Sequence, residues 1–318
     1  MTKIEELREI IANNESFAVI SHLRPDGDNL GSIIAMSKYL ENLEKKVYTI
    51  EFDVIPEKFN FMVEYIRFYH EIKFEVDVVI ALDCADKKRL GPIDTLFDSA
   101  KHIVKIDHHN TDEDYGTLNI VDKDISSTCE LLTSILIKLN AKFTKEISSA
   151  LLMGILTDTG RYLYDNVTSD TFEISAFLLK KGANKGLLMD KLFQSETLNS
   201  KKAQLEILKD AHFYYNSKLV ILRQTKDLLD LYGVTDNDVE NVINYFRESK
   251  DVYAVGLIKE ITEDSYKISL RSKDGIDVCK IASAFGGGGH TQASGCQIDG
   301  PIDIVESRLV ERFDNIEW

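Results

Sequence analysis

The chain has 318 residues, about twice the length of a typical single domain, so we expect two folded units. Its 38 Lys and Arg against 53 Asp and Glu give a formal net charge of −15, which disfavours a protein that coats long nucleic acid or lies on anionic lipid. The 44% hydrophobic fraction and four prolines are typical of a globular chain and exclude disorder as the basis of function. A small phosphorylated substrate held by a few local cations remains compatible with this charge.

The first half of the chain alternates short apolar runs with helical patterns. An amphipathic N-terminal helix, which is not an apolar signal segment, precedes strands predicted at residues 17–21, 47–52, 76–83 and 102–107. Runs that are apolar on both faces and separated by helices indicate a parallel sheet. We therefore predict an α/β fold whose N-terminal domain, residues 1–185, is a doubly wound parallel sheet.

Helices are predicted between and after these strands. Leu30, Ile33, Ile34 and Leu43 fit one helical face, and Ser127-x-x-Glu130 is a capping box ahead of the apolar run 131–139. A further helix is predicted to end near Leu156. The next runs from about Thr168 to Gly182, where the glycine indicates a helix end.

The second half predicts a smaller mixed α/β domain at residues 213–318, reached through a polar helical connection at residues 186–212. Its strands are predicted at 218–225, 252–261 and 266–272, and its helices at about 236–248 and 277–285. No apolar run approaches the ~18 residues of a membrane span. The four cysteines form no C-x-x-C pair, so we expect reduced thiols in a soluble cytoplasmic protein, without a zinc ribbon or a disulfide framework.

Metal-type ligands are concentrated in four segments, three of which follow predicted strands. They are His22, Asp26 and Asp28 in SHLRPDGDN, Asp83 in LDCAD, Asp107, His108 and His109 in IDHH, and Asp158 in ILTDTG. The carboxyl edge of a parallel sheet is where ligands bind. If the Asp26 turn is extended, its two aspartates lie ~7 Å apart and each serves one of two metal ions. This oxygen- and imidazole-rich set favours two divalent ions such as Mn²⁺ over Zn²⁺.

Taken singly, these motifs have ordinary structural explanations. Asp-x-Asp after a proline is often only a turn, Asp83 alone could cap a helix, and His-His alone is usually a solvated pair. An EF-hand is excluded, because Leu30 and Ser37 stand where that loop needs an oxygen ligand and a Glu. The joint occurrence of all four segments is what favours a metal centre.

The second half contains the block GGGGHTQASG, from Gly286 to Gly295, and a strand residue, Arg271. No Walker lysine follows the glycines, so a P-loop is excluded. Backbone N–H groups at Gly287, Gly288 and Gly289 can nevertheless approach an anion closely, and a neighbouring arginine can bind phosphate oxygens. The block therefore predicts a phosphate-binding site despite the acidic overall charge.

Together these motifs resemble the DHH phosphoesterase superfamily, and the glycine–histidine block is similar to its DHH–DHHA1 branch of small bacterial oligoribonucleases and 3′-phosphoadenosine-5′-phosphate (pAp) phosphatases. The resemblance implies that one metal ion is held by His22, Asp26 and Asp83, and the other by Asp28, Asp83, His108 and Asp158. It implies catalytic roles for His109, facing the substrate phosphate, and for Asp107, orienting a neighbouring group. Arg271 and His290 would hold the substrate from the second domain.

The resemblance implies two-metal hydrolysis of short oligonucleotides and small nucleotides such as pApA and pAp, with release of nucleoside 5′-monophosphates. Three alternatives stay open: a cyclic di-AMP or pApA phosphodiesterase, a RecJ-like single-strand exonuclease, and a nucleotide sensor without turnover. RecJ-like enzymes are usually larger and carry an added nucleic-acid-binding domain. We expect no long duplex partner and no membrane, and leave a homodimer open.

Overall fold

A computed structural model of the chain describes residues 2–110, 113–273, 275–316 and 318. The chain forms two compact units that divide between Ser195 and Glu196. Each unit is built on one six-stranded sheet with helices packed against it. No helix among the described residues is both long enough and apolar enough to cross a membrane.

The sheet of the first unit is parallel throughout, as the apolar runs predict. Its strand order is β3-β2-β1-β4-β5-β6, so the winding direction reverses between the neighbours β1 and β4. Ligand sites of open parallel sheets lie outside the carboxyl ends of the strands at such a reversal. The strands are β1 (Ser16–Ile20), β2 (Lys46–Ile50), β3 (Phe68–Tyr69), β4 (Val78–Leu82), β5 (His102–Asp107) and β6 (Leu118–Val121). The sequence patterns did not predict β3 and β6.

Helices cover both faces of this sheet and bury two apolar clusters. Phe17, Val78 and Val104 point to one face and Ala18 and Val79 to the other, because successive side chains of a strand alternate. The helices are α1 (Lys3–Asn13), α2 (Gly27–Asn42), α3 (Asn60–Val63), α4 (Asp94–Ser99), α5 (Thr128–Lys138), α6 (Lys145–Asp158), α7 (Ser169–Lys180) and α8 (Lys185–Phe193). Short 3₁₀ helices lie at Glu57–Phe59 and Lys87–Leu90.

Two helix ends differ from the sequence predictions. Leu43 does not share the buried face of α2, because the helix ends at Asn42 and Leu43 is an exposed C-cap residue. Helix α6 does not end near Leu156 but continues to Asp158, whose side chain therefore projects from the last helical turn. Helix α5 begins after Ser127 as predicted, since Ser127 Oγ accepts a hydrogen bond from the backbone N–H of Glu130. The second half of the predicted capping box does not form, because the Glu130 carboxylate accepts a hydrogen bond from Ser126 Oγ instead.

The second unit has a mixed sheet in the order β11-β12-β10-β9-β8-β7. Only β8 and β9 pair in parallel, and the other neighbours are antiparallel. The strands are β7 (His212–Tyr214), β8 (Leu219–Gln224), β9 (Ala254–Thr262), β10 (Ser265–Ser272), β11 (Gly288–His290) and β12 (Ala293–Asp299). The helices are α9 (Leu198–Lys209), α10 (Lys226–Tyr232), α11 (Asp236–Val239), α12 (Val242–Arg247), α13 (Val278–Ser283) and α14 (Ile302–Glu311).

Part of the glycine block is a strand. Gly288, Gly289 and His290 form β11, which pairs with β12 as an edge strand of the second sheet. The segment predicted as a helical connection contains two helices with different partners: Leu188 of α8 packs in the core of the first unit, and Ala203 of α9 in that of the second.

Asp77 ties three strands together at the amino edge of the first sheet. Its carboxylate accepts hydrogen bonds from the backbone N–H of Ser16 at 3.0 Å, from Ser16 Oγ at 2.9 Å and from Lys101 Nζ at 2.8 Å. The bond from Lys101, followed by those from Ser16, holds the pKa of Asp77 far below its ordinary value. The ionised carboxylate is therefore the form that the fold stabilises.

The lowered pKa of Asp77 predicts an acid-sensitive contribution to stability. Because the folded pKa lies below the unfolded one, the contribution is complete above about pH 4 and is lost as the pH falls further. Asp77→Asn should lower the free energy of unfolding at neutral pH, and its difference from wild type should shrink in acid. Urea unfolding at neutral pH and at about pH 3 measures this. Asp98→Asn, on the exposed side of α4, is the control; equal losses for Asp77→Asn at both pH values would contradict the prediction.

Candidate metal centre

The predicted ligands converge at the carboxyl edge of the first sheet, where its winding reverses. His22 follows β1, Asp83 follows β4, and His108 follows β5. Two helix ends supply the other members: Asp26 and Asp28 stand at the start of α2, and Asp158 closes α6.

Asp26 and Asp28 do not form the extended turn that the sequence suggested. Helix α2 already begins at Gly27, because the Asp26 carboxylate caps it by accepting the backbone N–H groups of Asp28 and Asn29 at 3.1 and 3.0 Å. The ~7 Å separation expected for extended backbone therefore does not apply. The helical turn still sends the two carboxylates into different ligand groups.

The first ligand group consists of His22, Asp26 and Asp83. His22 Nε2 lies 3.4 Å from Asp83 Oδ2 and 3.8 Å from Asp26 Oδ2. His22 Nδ1 lies 2.8 Å from the carbonyl oxygen of Leu23, so Nδ1 carries the donated proton and the Nε2 lone pair faces the carboxylates. Ligand atoms that each lie ~2.1 Å from one cation can be at most ~4.2 Å apart, and both distances meet this limit.

The second ligand group consists of Asp28, His108 and Asp158. His108 Nε2 lies 3.3 Å from Asp158 Oδ2 and 3.9 Å from Asp28 Oδ2. Burial, followed by the charge of the neighbouring His109, lowers the pKa of His108, so its imidazole is neutral at neutral pH. A neutral imidazole is the form that binds metal ions.

Asp83 lies between the two groups. Its Oδ2 faces His22, while its Oδ1 lies 3.7 Å from His108 Nε2 and accepts a hydrogen bond from Thr128 Oγ1 at 3.1 Å. One carboxylate thus presents a different oxygen to each group, as a bridging ligand would. Asp83 also has a φ of +54°, a left-handed conformation that costs a non-glycine residue about 1–2 kcal/mol. Such strain is typical of functional sites.

The start of α5 holds Asp28 in place. The two Asp28 oxygens accept the backbone N–H groups of Thr128 at 2.7 Å and Cys129 at 2.9 Å. The first N–H groups of a helix lack intrahelical partners and favour an anion. Asp28 is therefore oriented before any cation binds.

The cluster has a donor set and a charge that fit divalent cations. Burial, followed by the charge of Asp83, raises the pKa of Asp28 well above its ordinary value. Burial, followed by the charges of the other carboxylates, raises the pKa of Asp83 well above its ordinary value and the pKa of Asp158 to about 8. Oxygen and imidazole ligands in a strongly negative environment suit ions such as Mn²⁺ or Mg²⁺.

Asp107 and His109 form a hydrogen-bonded pair beside these groups. His109 Nδ1 and its backbone N–H lie 2.8 and 3.2 Å from Asp107 Oδ1, and Asp107 is completely buried. Although Asp83, His108 and His109 also lie close enough for a metal, His109 Nδ1 is engaged by Asp107. The side chain of His109 is 37% exposed to solvent.

The predicted substrate residues of the second unit share one cross-strand row. Arg271 on β10 pairs with Ala293 on β12, and Ala293 pairs in turn with His290 on β11. Directly opposite side chains of a sheet point to the same face, and two strand spacings separate the outer backbones by ~10 Å. The row therefore presents Arg271 and an exposed His290 on one face.

Different structural constraints favour glycine at different positions of the block. A Cβ at Gly287 would collide with Cys296 and the carbonyl of Gly295, and Gly289 has a φ of +144°. These two positions are explained by the close pairing of β11 with β12. Gly288 is exposed, with open space where a side chain would begin, so a close approach of a phosphate remains a separate explanation there.

Sequence reasoning missed several residues that hold the site together. Thr128 bonds to Asp83, and Asn166 Nδ2 donates to the carbonyl groups of Asp158 at 3.3 Å and Ser126 at 3.1 Å. Lys105 is completely buried beside Asp107. A lysine two residues before Asp107 in an apolar strand was a visible signal, because side chains two apart share a face.

Two parts of the chain match known domain families. Residues 16–155 match the DHH family, N-terminal domain, and residues 225–316 match the DHHA1 domain. The chain is 28% identical to the bifunctional oligoribonuclease and PAP phosphatase of Thermus thermophilus, over 92% of this chain and 87% of that protein. It is 27% identical to the enzyme of the same name from Bacillus subtilis, over 92% of each chain.

Solved structures show the same fold. An exopolyphosphatase-related protein from Bacteroides fragilis is 26% identical and superposes with a TM-score of 0.85, over 98% of this chain and 96% of that one. The exonuclease RecJ bound to manganese superposes with a TM-score of 0.56 at 13% identity, over 100% and 96% of the two chains. At 13% identity, the similarity to RecJ shows a shared fold and no more.

Divalent cations should stabilise the metal-free protein, because they neutralise carboxylates whose ionisation the fold opposes. A hundredfold excess over Kd gives ~2.7 kcal/mol by mass action. Thermal unfolding after chelation, with and without added Mn²⁺, measures the effect, and elemental analysis verifies that the metal was removed. Asp83→Ala should abolish most of the increase, since both groups share this residue, whereas Asp86→Ala in the same loop should retain it. An increase of wild-type size in Asp83→Ala would disprove the bridging assignment.

Proposed function

Because the chain belongs to the DHH family of phosphoesterases and carries a DHHA1 domain, we propose that it is a Mn²⁺-dependent hydrolase of short oligonucleotides and small nucleotides. Its substrates would be short RNA and small nucleotides such as pApA and pAp, and its products nucleoside 5′-monophosphates. The observation that carries the proposal is the position of Asp83 between two ligand groups. The relatives from Thermus thermophilus and Bacillus subtilis, which are named for oligoribonuclease and PAP phosphatase activity, support it.

The first unit would bind the metal ions and carry out the hydrolysis. His22, Asp26 and Asp83 would hold one ion, and Asp28, Asp83, His108 and Asp158 the other. Two such ions activate water near neutral pH and neutralise charge on the phosphoryl group. The hydrogen bonds from the start of α5 to Asp28 and from Thr128 to Asp83 keep the ligands in position without substrate.

His109 would contact the phosphoryl group directly. Its Nδ1–H donates to the buried Asp107, which fixes the ring orientation and leaves Nε2 for the substrate. A protonated imidazole held in this way can donate a hydrogen bond to a phosphoryl oxygen, where negative charge increases during hydrolysis. Asp107 would orient His109 and bind no metal.

The second unit would bind the substrate through the row of Arg271 and His290. A guanidinium and an imidazole on one sheet face can both donate to phosphate oxygens, and Gly288 leaves the backbone beside them accessible. Lys267 points to the same face as Arg271, because the two residues are four apart in β10. This local positive charge would outweigh the chain's net charge of −15 at short range.

A substrate panel tests the proposal. The purified protein with Mn²⁺ is incubated with pAp, pApA, cyclic di-AMP, a short RNA and a single strand of about fifty nucleotides, and products are separated by chromatography. We expect the highest kcat/KM on pAp, pApA or the short RNA. Preference for cyclic di-AMP would favour a cyclic dinucleotide phosphodiesterase. Equal efficiency on the long strand would favour a RecJ-like exonuclease, and binding without turnover would indicate a nucleotide sensor.

Removal of the phosphate-binding row should affect nucleotides selectively. Arg271→Ala and His290→Ala should each lower kcat/KM on pAp or pApA about 10- to 100-fold, the effect of losing one charged hydrogen bond. Activity on bis-p-nitrophenyl phosphate should change much less, because this minimal ester has no second phosphate. Lys226→Ala, an exposed cation on α10, is the control. An equal loss on both classes of substrate would show that the row does not bind a distal phosphate.

A further inference from the structure

Lys105 is a completely buried cation behind the metal centre. It lies in β5, two residues before Asp107, and its side chain is not exposed to solvent. Lysines are almost never buried in this way unless they are paired. Its Nζ lies 3.5 Å from Asp107 Oδ2, and both side chains are fully buried.

The ammonium group of Lys105 contacts the loop after β4, which carries Asp83, and the loop after β5, which carries His108. Nζ donates to the carbonyl oxygen of Glu113 at 2.8 Å and lies 3.4 Å from that of Ala85. Ala85 follows Asp83 in the loop after β4, and Glu113 belongs to the loop after His109. The ring of Tyr115 lies 4.9 Å from Nζ, and its hydroxyl donates to the carbonyl of Cys84. The ammonium group of Lys105 therefore links the loop after β4 to the loop after His109.

The two oxygens of Asp107 have different surroundings. Oδ1 accepts the hydrogen bonds of His109, whereas Oδ2 is buried and has no hydrogen-bond partner among the described groups. The ammonium group of Lys105, 3.5 Å away, compensates for the negative charge on this buried oxygen. Burial alone would raise the pKa of Asp107, but the hydrogen bonds and charge of His109, with the charge of Lys105, hold it below its ordinary value.

We propose that Lys105 is a positioning residue, whose buried ammonium fixes Asp107 and, through Asp107, the imidazole of His109. The proposal rests on the proposed function, because it takes His109 as the group that meets the phosphoryl oxygen. Stability alone is a weak reason for this arrangement. A buried ion pair can often be replaced by apolar residues of similar volume without loss of stability.

A double-mutant cycle separates positioning from packing. Lys105→Met and Asp107→Asn should each lower kcat on bis-p-nitrophenyl phosphate about 10- to 100-fold, the usual effect of losing a group that orients a ligand, with little change in KM. Lys105→Met/Asp107→Asn should be no less active than Asp107→Asn, because both changes disturb the same histidine. A double variant much less active than Asp107→Asn would mean that Lys105 acts through the loops, and would overturn the proposed route.

The cycle remains decisive if Lys105→Met does not fold. That variant leaves Asp107 buried without a countercharge, whereas the double variant removes both charges and can be compared with Asp107→Asn alone. Thermal unfolding accompanies each assay, and activity is expressed per folded protein. Lys101→Met is the matched control, because Lys101 precedes β5 at the opposite edge of the sheet and pairs with Asp77.

An NMR measurement provides a readout that does not depend on turnover. Long-range ¹H–¹⁵N spectra of the metal-free protein, assigned with His109→Gln, report the protonated nitrogen of His109. Lys105→Met should change the His109 signals, and Lys101→Met should not. Unchanged His109 signals together with wild-type kcat in Lys105→Met would overturn the positioning role. If the wild type hydrolyses no phosphoester, the proposed function fails, and the spectra still decide whether Lys105 orients His109.

Discussion

Four carboxylates meet where β1 and β4 end, and their mutual repulsion, strengthened by burial, constrains everything built around them. Asp28 and Asp83 are almost completely buried, and their pKa values lie well above the ordinary range. Bringing such groups together without countercharge opposes folding. The fold accepts this cost at the one edge of the sheet where the winding reverses, which is also the edge that a ligand can reach.

The helices around the site compensate for this repulsion by supplying hydrogen-bond donors. Helix α5 points its first N–H groups at Asp28, and Thr128 at its start donates to Asp83. The donors can come this close only because α6 passes tightly against α2 and α5: a Cβ at Gly154 would collide with Cys129 and with the carboxylate of Asp28. The glycine of α6 is therefore part of the site's geometry, although it binds nothing itself.

The sequence predicts the parts of this architecture that depend on local patterns. The parallel sheet follows from runs such as 76–83, which are apolar on both faces. His22, Asp83 and His108 lie together because parallel strands finish at one edge. The extended turn considered for Asp26 and Asp28 is not formed, because whether an aspartate acts as a turn residue or as an N-cap depends on contacts that the local sequence pattern does not contain. Thr128 was missed for another reason: its role exists only once α5 is docked against Asp83.

The glycine block shows how a functional motif can have two independent causes. Gly287 and Gly289 are required by the pairing of β11 with β12, so their presence alone says little about phosphate. The phosphate-binding interpretation depends instead on the register, which aligns Arg271 and His290 on either side of the small residue Ala293. Charges on such a row act within the ~8 Å screening length of physiological salt. A phosphate bound there would lie within this distance of the Arg271 guanidinium, whereas each further phosphate of a long strand would meet the average, acidic surface.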